Sequence, residues 1–143
     1  MGDISKNFSY SEFTHSDEAV KNGIKNYIPS ADVRDAIYWL VWDVLQPLRD
    51  YLGASLIVNS GYRSEQLNTL LGGAKTSQHR KGEAADIRSP FFSPLEIARA
   101  IIFLQLPFDQ LILYPTFVHV SHKRKGAQRG QVLYNSRYTG ENI

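Results

Sequence analysis

A histidine and a carboxylate, His79 and Asp86, lie seven positions apart in a polar stretch of the chain. Imidazole nitrogen and carboxylate oxygen are both good ligands for a divalent ion such as zinc. Ser77 precedes the pair, and Gly82 and Ala84 lie between its members. A zinc site in a protein normally takes three or four ligands, so a third must come from elsewhere. The alternative is a polar turn leading into a strand, with His79 as an ordinary surface histidine.

The composition narrows the chemistry that such a site can use. The chain has 143 residues, of which 43% are hydrophobic and 12% aromatic, which suits one domain with its own core. There is no cysteine, so nitrogen and oxygen atoms must hold any metal. The net charge of +2 is too small to indicate a nucleic-acid partner. We therefore expect a single domain over residues 1–143 that is a monomer and binds no nucleic acid.

The longest predicted element is a core helix over residues 31–51, where apolar residues recur at helical spacing. Ser30 is a suitable N-cap, and Gly53 ends the pattern. Pro47 lies inside it, so either the helix kinks there or two helices meet at Gln46.

The remaining patterns predict short strands and helices. Strands are expected at 55–59, 84–88, 109–114, 117–122 and 131–134, and helices at 64–71 and from a capping box at residues 93–96. Residues 1–29 are expected to form a leader segment packed on the domain, with Phe8 and Phe13 buried, and residues 135–143 to fray. This arrangement predicts an α+β fold with a small, mostly antiparallel sheet and flanking helices.

Three segments resemble motifs of one enzyme family. The pattern Ser-x-His-x-x-Gly-x-Ala-x-Asp, which begins at Ser77, is similar to the signature of the zinc D,D-peptidases of peptidase family M15, which trim peptidoglycan stem peptides. Ser-Gly-Tyr-Arg-Ser at 60–64 and Phe-Val-His-Val-Ser at 117–121 resemble two further motifs in the family's order. The resemblance implies a hedgehog/D,D-peptidase-like zinc fold, a Zn²⁺ cofactor, and a D-alanyl-D-alanine carboxypeptidase or an endolysin-type endopeptidase.

Strand alternation indicates the third metal ligand. His119 shares a face of its predicted strand with Phe117 and Ser121, whereas His122 points to the opposite face unless the strand has ended or bulged. His79, Asp86 and His119 then leave one position for water, as a catalytic zinc requires.

Two residues are candidates for binding the substrate. Arg63 follows a predicted strand, and its guanidinium has the fork geometry that suits a carboxylate. The resemblance implies that this arginine holds the substrate backbone or its terminal carboxylate, and we expect Ser77 to hydrogen-bond the substrate. A surface salt bridge is the alternative for Arg63.

The general base is missing from its expected place. A zinc peptidase needs a group that takes a proton from water and passes it to the leaving amine. Many relatives have an acid three residues before the last histidine ligand, but Thr116 stands there. Asp109, Glu83, His122 and Tyr114 are candidates, and none is required by spacing. A non-catalytic, zinc-containing module that binds the cell wall or a protein therefore remains the alternative.

The ends of the chain and its basic loop complete the expectations. The first residues lack the apolar segment of a signal peptide, and no apolar run approaches the roughly 20 residues that cross a bilayer. We expect synthesis in the cytoplasm, and the resemblance to the M15 family implies action on the cell wall after release of the bacteriophage type. Lys123, Arg124, Lys125 and Arg129 predict a solvated loop, with contact to an anionic wall polymer as the alternative.

Overall fold

A five-stranded mixed sheet forms the centre of the protein in a computed structural model that describes residues 2–143. The strands are β1 (Ile57–Ser60), β2 (Ala84–Arg88), β3 (Gln110–Leu113), β4 (Val118–Ser121) and β5 (Gln131–Tyr134). Their spatial order is β1-β2-β4-β3-β5. All neighbours pair antiparallel except β3 and β5, which are parallel. The predicted α+β class is confirmed, and the parallel edge strand makes the sheet mixed.

Within residues 2–143, six α-helices and two shorter helical segments surround the sheet. The α-helices are α1 (Tyr10–Thr14), α2 (Asp17–Lys21), α3 (Ala31–Leu40), α4 (Gln46–Leu52), α5 (Glu65–Leu70) and α6 (Pro94–Phe103). A π-helix, Val41–Leu45, joins α3 to α4, and a 3₁₀ turn, Gln78–Lys81, precedes β2. Within residues 2–143, no helix has the length and hydropathy needed to cross a membrane.

The long core helix is continuous but changes its winding before the proline. Ser30 caps α3 by accepting a hydrogen bond from the backbone N–H of Val33, and Gly53 ends α4 in a left-handed conformation. α4 begins at Gln46, where the sequence predicted a junction. Proline lacks an N–H and clashes with the carbonyl four residues earlier. The wider π-helical turn that leads up to Pro47 accommodates both effects.

The core lies between the helices and one face of the sheet. Side chains of the long helix, α6 and the strands fill it at 0% exposure, among them Ile37, Leu40, Leu48, Ile101, Leu111, Val118 and Val120. Val118 and Val120 of β4 therefore point into the core. Because side chains alternate along a strand, His119 points to the opposite face.

The leader segment is bound to the turn that follows β1. Phe8 and Phe13 are buried as expected, and the backbone N–H of Tyr62 donates to the carbonyl of Phe13 over 2.7 Å. The Asn26 side chain donates to the carbonyl of Tyr62 over 3.0 Å and accepts from the N–H of Ser64 over 2.8 Å. These contacts hold residues 61–64 in place.

Two of the last residues, Tyr138 and Ile143, contact the domain in the segment from residue 135 that the sequence predicted to fray. Tyr138 and Ile143 lie against the hydrophobic core, and the N–H of Ile143 donates to the Tyr134 hydroxyl over 2.9 Å. The rings of Tyr134 and Tyr138 stack with centroids 5.9 Å apart. Aromatic contacts on the edge strand therefore order a segment whose own sequence is polar.

Candidate metal centre

Three side chains from three elements converge on the open face of the sheet. His79 lies in the 3₁₀ turn, Asp86 in β2 and His119 in β4. One ligand atom from each lies within 4.8 Å of the others. Asp86 is directly opposite His119 in the β2–β4 register, and opposite residues on antiparallel strands have neighbouring side chains. The sheet register thus sets two members of the group, and the turn before β2 brings the third.

The orientation of the His79 ring is set by a backbone carbonyl. Its Nδ1 lies 2.7 Å from the carbonyl oxygen of Gly61. A carbonyl can only accept, so Nδ1 carries the proton and Nε2 presents its lone pair to the cluster. Nε2 lies 3.3 Å from Oδ1 of Asp86. Metal-bound histidines usually hold their second nitrogen in this way, so His79 fits the role of a ligand.

Two of the candidate ligands, Asp86 and His79, have the protonation states that metal binding needs. Burial raises the pKa of Asp86, but the imidazoles of His119 and His79 beside the carboxylate outweigh this effect and hold the pKa well below its usual range. Burial lowers the pKa of His79, and Asp86 only partly opposes this effect. An ionised carboxylate and a neutral imidazole are the forms that bind metal ions. The donor set therefore fits a divalent metal ion.

The turn that carries His79 depends on two small neighbours. The Ser77 hydroxyl accepts a hydrogen bond from the backbone N–H of His79 over 3.2 Å, which caps the 3₁₀ turn. Gly82 ends the turn at φ +73°, and a Cβ there would lie 2.7 Å from the carbonyl oxygen of Val33. Both the left-handed backbone and the close approach to α3 thus require glycine.

Arg63 lies beside the cluster and is held by its neighbours. Its Nη2 lies 3.4 Å from Oδ2 of Asp86, and its Nε donates to the Ser60 hydroxyl over 3.0 Å. Its backbone N–H donates to the carbonyl of His79 over 3.0 Å. Arg63 is therefore an outer neighbour of the Asp86 carboxylate as well as a candidate for binding the substrate.

A groove of about 470 Å³, the central groove, opens above these residues. Its lining includes the three candidate ligands together with Arg63, Ser77, Gln78, Gln110, Tyr114 and Arg129. The open face of the sheet thus combines a possible metal site with polar groups able to hold a bound molecule.

Comparison with known families agrees with this geometry. A family model described as Peptidase M15 matches residues 6–121. The chain belongs to the peptidase M15 family. The matched part contains Arg63 and all three candidate ligands. No curated protein matches the chain. Membership of this family indicates a hydrolase, and M15 peptidases generally depend on zinc.

Three of the four candidate bases of this M15 chain do not line the central groove, and two of them, Glu83 and His122, are bound elsewhere. The carboxylate of Glu83 accepts hydrogen bonds from the Gln78 side chain and from the backbone N–H of Arg124. Nε2 of His122 lies 3.0 Å from Oδ2 of Asp43, on the helical side of the sheet. Neither group lines the central groove.

The third candidate, Asp109, is buried behind the groove wall. Arg129 donates to it from Nη2 over 2.7 Å and from Nε over 3.1 Å, and the Gln78 side chain donates over 3.1 Å. The Arg129 hydrogen bonds lower the pKa of Asp109 to about 2, against the raising effect of burial. This carboxylate is ionised and fully engaged, so it is a poor proton acceptor.

Tyr114, the fourth candidate, does line the groove. Its ring stacks on Phe117 with centroids 4.3 Å apart. Burial, followed by the charge of Asp86, raises the pKa of the Tyr114 hydroxyl, although Arg63 lowers it. The phenol is therefore a hydrogen-bond donor near neutral pH. Among the lining residues that the structure describes, Asp86 is the one carboxylate, so the general base stays unassigned.

Some residues of the site escaped sequence reasoning. Gln110 could have been found, because it alternates with Ile112, which lies opposite His119 in the register. Gly61 contributes its carbonyl and Arg129 comes from a distant loop. No spacing rule reports either contact.

Proposed function

We propose that this chain is a zinc-dependent peptidase that hydrolyses a bond of peptidoglycan stem peptides, as a D-alanyl-D-alanine carboxypeptidase or as an endolysin-type endopeptidase. The observation that supports this function is the cluster of two histidines and one aspartate in the central groove of an M15 chain. His79, Asp86 and His119 would hold the ion. Zinc, when bound, polarises a carbonyl and lowers the pKa of water toward ~7. The proposed place of action is the cell wall, reached after release of the bacteriophage type.

The chain's own residues supply binding and orientation. Arg63 offers a guanidinium fork for the carboxylate or carbonyl of the peptide. The Ser77 hydroxyl accepts from the backbone of His79, so its own hydrogen remains free to donate to the substrate. Tyr114 stays protonated and can donate to the oxygen that gains negative charge as the scissile carbonyl is attacked.

One observation favours a second function. Of the described residues that line the central groove, Asp86 alone carries a carboxylate, and it belongs to the ligand set. A peptidase that lacks a base could retain its zinc and its substrate groove without turnover. The alternative is therefore a non-catalytic, zinc-containing module of the same fold that binds the cell wall or a protein partner.

Mass spectrometry of peptidoglycan fragments would test the two functions. Fragments are incubated with zinc-loaded protein, chelated protein, and the His119→Ala variant. His15→Ala serves as a control because His15 lies on the surface and pairs with Asp17. The peptidase predicts products with zinc-loaded wild type and His15→Ala alone, and the mass lost identifies the bond. Zinc binding at one ion per chain without any product would instead support the binding module.

A further inference from the structure

A second groove of about 410 Å³ lies next to the central groove. Five cationic side chains line this basic groove, together with the Glu83 carboxylate: Lys81, Lys123, Arg124, Lys125 and Arg129. The whole chain has a net charge of only +2, so positive charge is concentrated here. Thr76, Gln78 and Arg129 line both grooves, so the two are adjacent.

The loop that carries four of these cations is held in place. The Gln128 side chain donates to the carbonyl of Lys123 over 2.9 Å and accepts from its N–H over 2.7 Å. The backbone N–H of Arg124 donates to the Glu83 carboxylate over 3.0 Å. An ordered loop loses less conformational freedom when a ligand binds. The loop is therefore held by hydrogen bonds, while residues 125–127 and Arg129 are exposed, as expected for a solvated loop.

Arg129 has the firmest anchor of the five. Its pair with Asp109 uses Nε and Nη2, and the Asp109 side chain is fully buried. A buried carboxylate without a partner is costly, so this arrangement fixes the guanidinium at the junction of the two grooves. Nη1 takes no part in the pair, and about half of the Arg129 side chain, 49%, is exposed.

The other four cationic side chains of the basic groove differ in whether they lie near an aspartate. The guanidinium of Arg124 lies 3.5 Å from Asp32, and Nζ of Lys123 lies 3.8 Å from Asp109. Lys81 and Lys125 are exposed, and neither forms an ion pair within the described part of the chain. These two lysines and the exposed part of Arg129 are therefore the charges that a ligand can use.

We propose that the basic groove binds carboxylate groups of the peptide substrate, beyond the bond that lies over the metal ligands. This inference rests on the proposed function, because it takes the molecule in the central groove to be a peptide. An arginine at the junction suits a carboxylate, and the two exposed lysines attract further negative charge along the peptide. The family match ends at residue 121, so the loop is a feature of this chain beyond the matched part.

The test compares binding of two peptides that differ only in charge. One peptide is a stem-peptide fragment with free side-chain carboxylates, and the other is the same fragment with those groups amidated. Each is titrated into chelated protein by isothermal calorimetry. Chelation prevents cleavage during the titration. The double variant Lys81→Gln/Lys125→Gln should bind the acidic peptide roughly threefold to tenfold more weakly than wild type, because exposed ion pairs are individually weak. Its affinity for the amidated peptide should not change.

The matched control removes two charges elsewhere. Lys21→Gln/Lys25→Gln changes the net charge equally through exposed lysines of the leader segment, and should bind both peptides as wild type does. Equal affinity of wild type for the two peptides, or an equal loss with the control variant, would overturn the proposal. Lysine-dependent binding of a phosphodiester polymer, with the two peptides indistinguishable, would overturn it in favour of a phosphate-polymer site.

This outcome can be separated from that of the proposed function. A preference for the acidic peptide that depends on Lys81 and Lys125, without cleavage at any zinc loading, would leave the basic groove standing and remove the catalytic function. Cleavage by zinc-loaded protein, with no preference between the peptides, would do the reverse.

Discussion

Two histidine–aspartate pairs, one on β4 and one directly after it, have the same separation but different surroundings. Nδ1 of His119 lies 3.0 Å from Asp86, and Nε2 of His122 lies 3.0 Å from Asp43. The first pair meets His79 and Arg63 in a groove, whereas the second packs against the π-helix, with Nδ1 of His122 buried and without a partner among the described residues. A short contact between histidine and carboxylate therefore does not define a site, and the convergence of several elements does.

Among substitutions in the two pairs, Asp86→Asn should cause the largest loss of zinc affinity. It removes the one anionic ligand and leaves an amide facing two imidazoles. Loss of a residue that hydrogen-bonds a metal ligand lowers metal affinity about 10- to 100-fold, so loss of a ligand itself should lower it at least about 100-fold. Competition with a chromophoric chelator would measure the zinc affinity.

Asp17→Asn provides the control, because Asp17 is an exposed residue of the leader segment. Its zinc affinity should equal that of wild type. Unchanged zinc affinity in Asp86→Asn would show that the metal binds somewhere other than this cluster.

Asp109 is a buried carboxylate away from the metal ligands, so its substitution should affect stability more than zinc affinity. Asp109 has a lowered pKa, to about 2, because Arg129 bonds it. Asp109→Asn should destabilise the protein by about 2 kcal/mol at neutral pH, the usual size of a hydrogen bond to a charged group. Zinc affinity should change far less than in Asp86→Asn. Urea unfolding and the chelator assay would measure the two quantities.

The difference in stability between wild type and Asp109→Asn should depend on pH, because the pKa of Asp109 is lowered in the folded protein. The folded pKa of Asp109 lies below its unfolded value of about 3.9, so the ion pair stabilises the protein fully above that value. The contribution should decline as pH falls from about 4 toward 2. A wild-type advantage over Asp109→Asn that stays constant down to pH ~2 would show that the carboxylate charge is not its source.

Arg63→Lys, next to the His119–Asp86 pair, should lower zinc affinity by an intermediate amount. The guanidinium touches Asp86 and the Ser60 hydroxyl together, and an ammonium lacks the fork that reaches both. Zinc affinity should fall about tenfold, as for other outer neighbours of a ligand. Arg88→Lys is the matched control, because Arg88 is exposed at the end of β2. A larger loss in the control would contradict the assignment.

The sequence predicted that His79, Asp86 and His119 would come together, but not the long-range contacts around them, for a physical reason. His79 and Asp86 lie within one short window, and strand alternation alone separates His119 from His122. The parallel pairing of β3 with β5 and the Asp109–Arg129 pair depend on where a loop folds back. Local patterns carry no information on such long-range contacts, and the same holds for the packed tail, which is ordered through Tyr138.

The smallest effect is expected at the second pair. Asp43 is 38% exposed, and partly solvated ion pairs contribute little to stability. Asp43→Asn should therefore lower the free energy of unfolding by less than about 1 kcal/mol and leave zinc affinity unchanged, since the amide can still hydrogen-bond His122. Urea unfolding and the chelator assay would measure both. A fall in zinc affinity comparable to that of Arg63→Lys would mean that Asp43 in the π-helix is coupled to the metal cluster through β4. The two pairs would then not be independent.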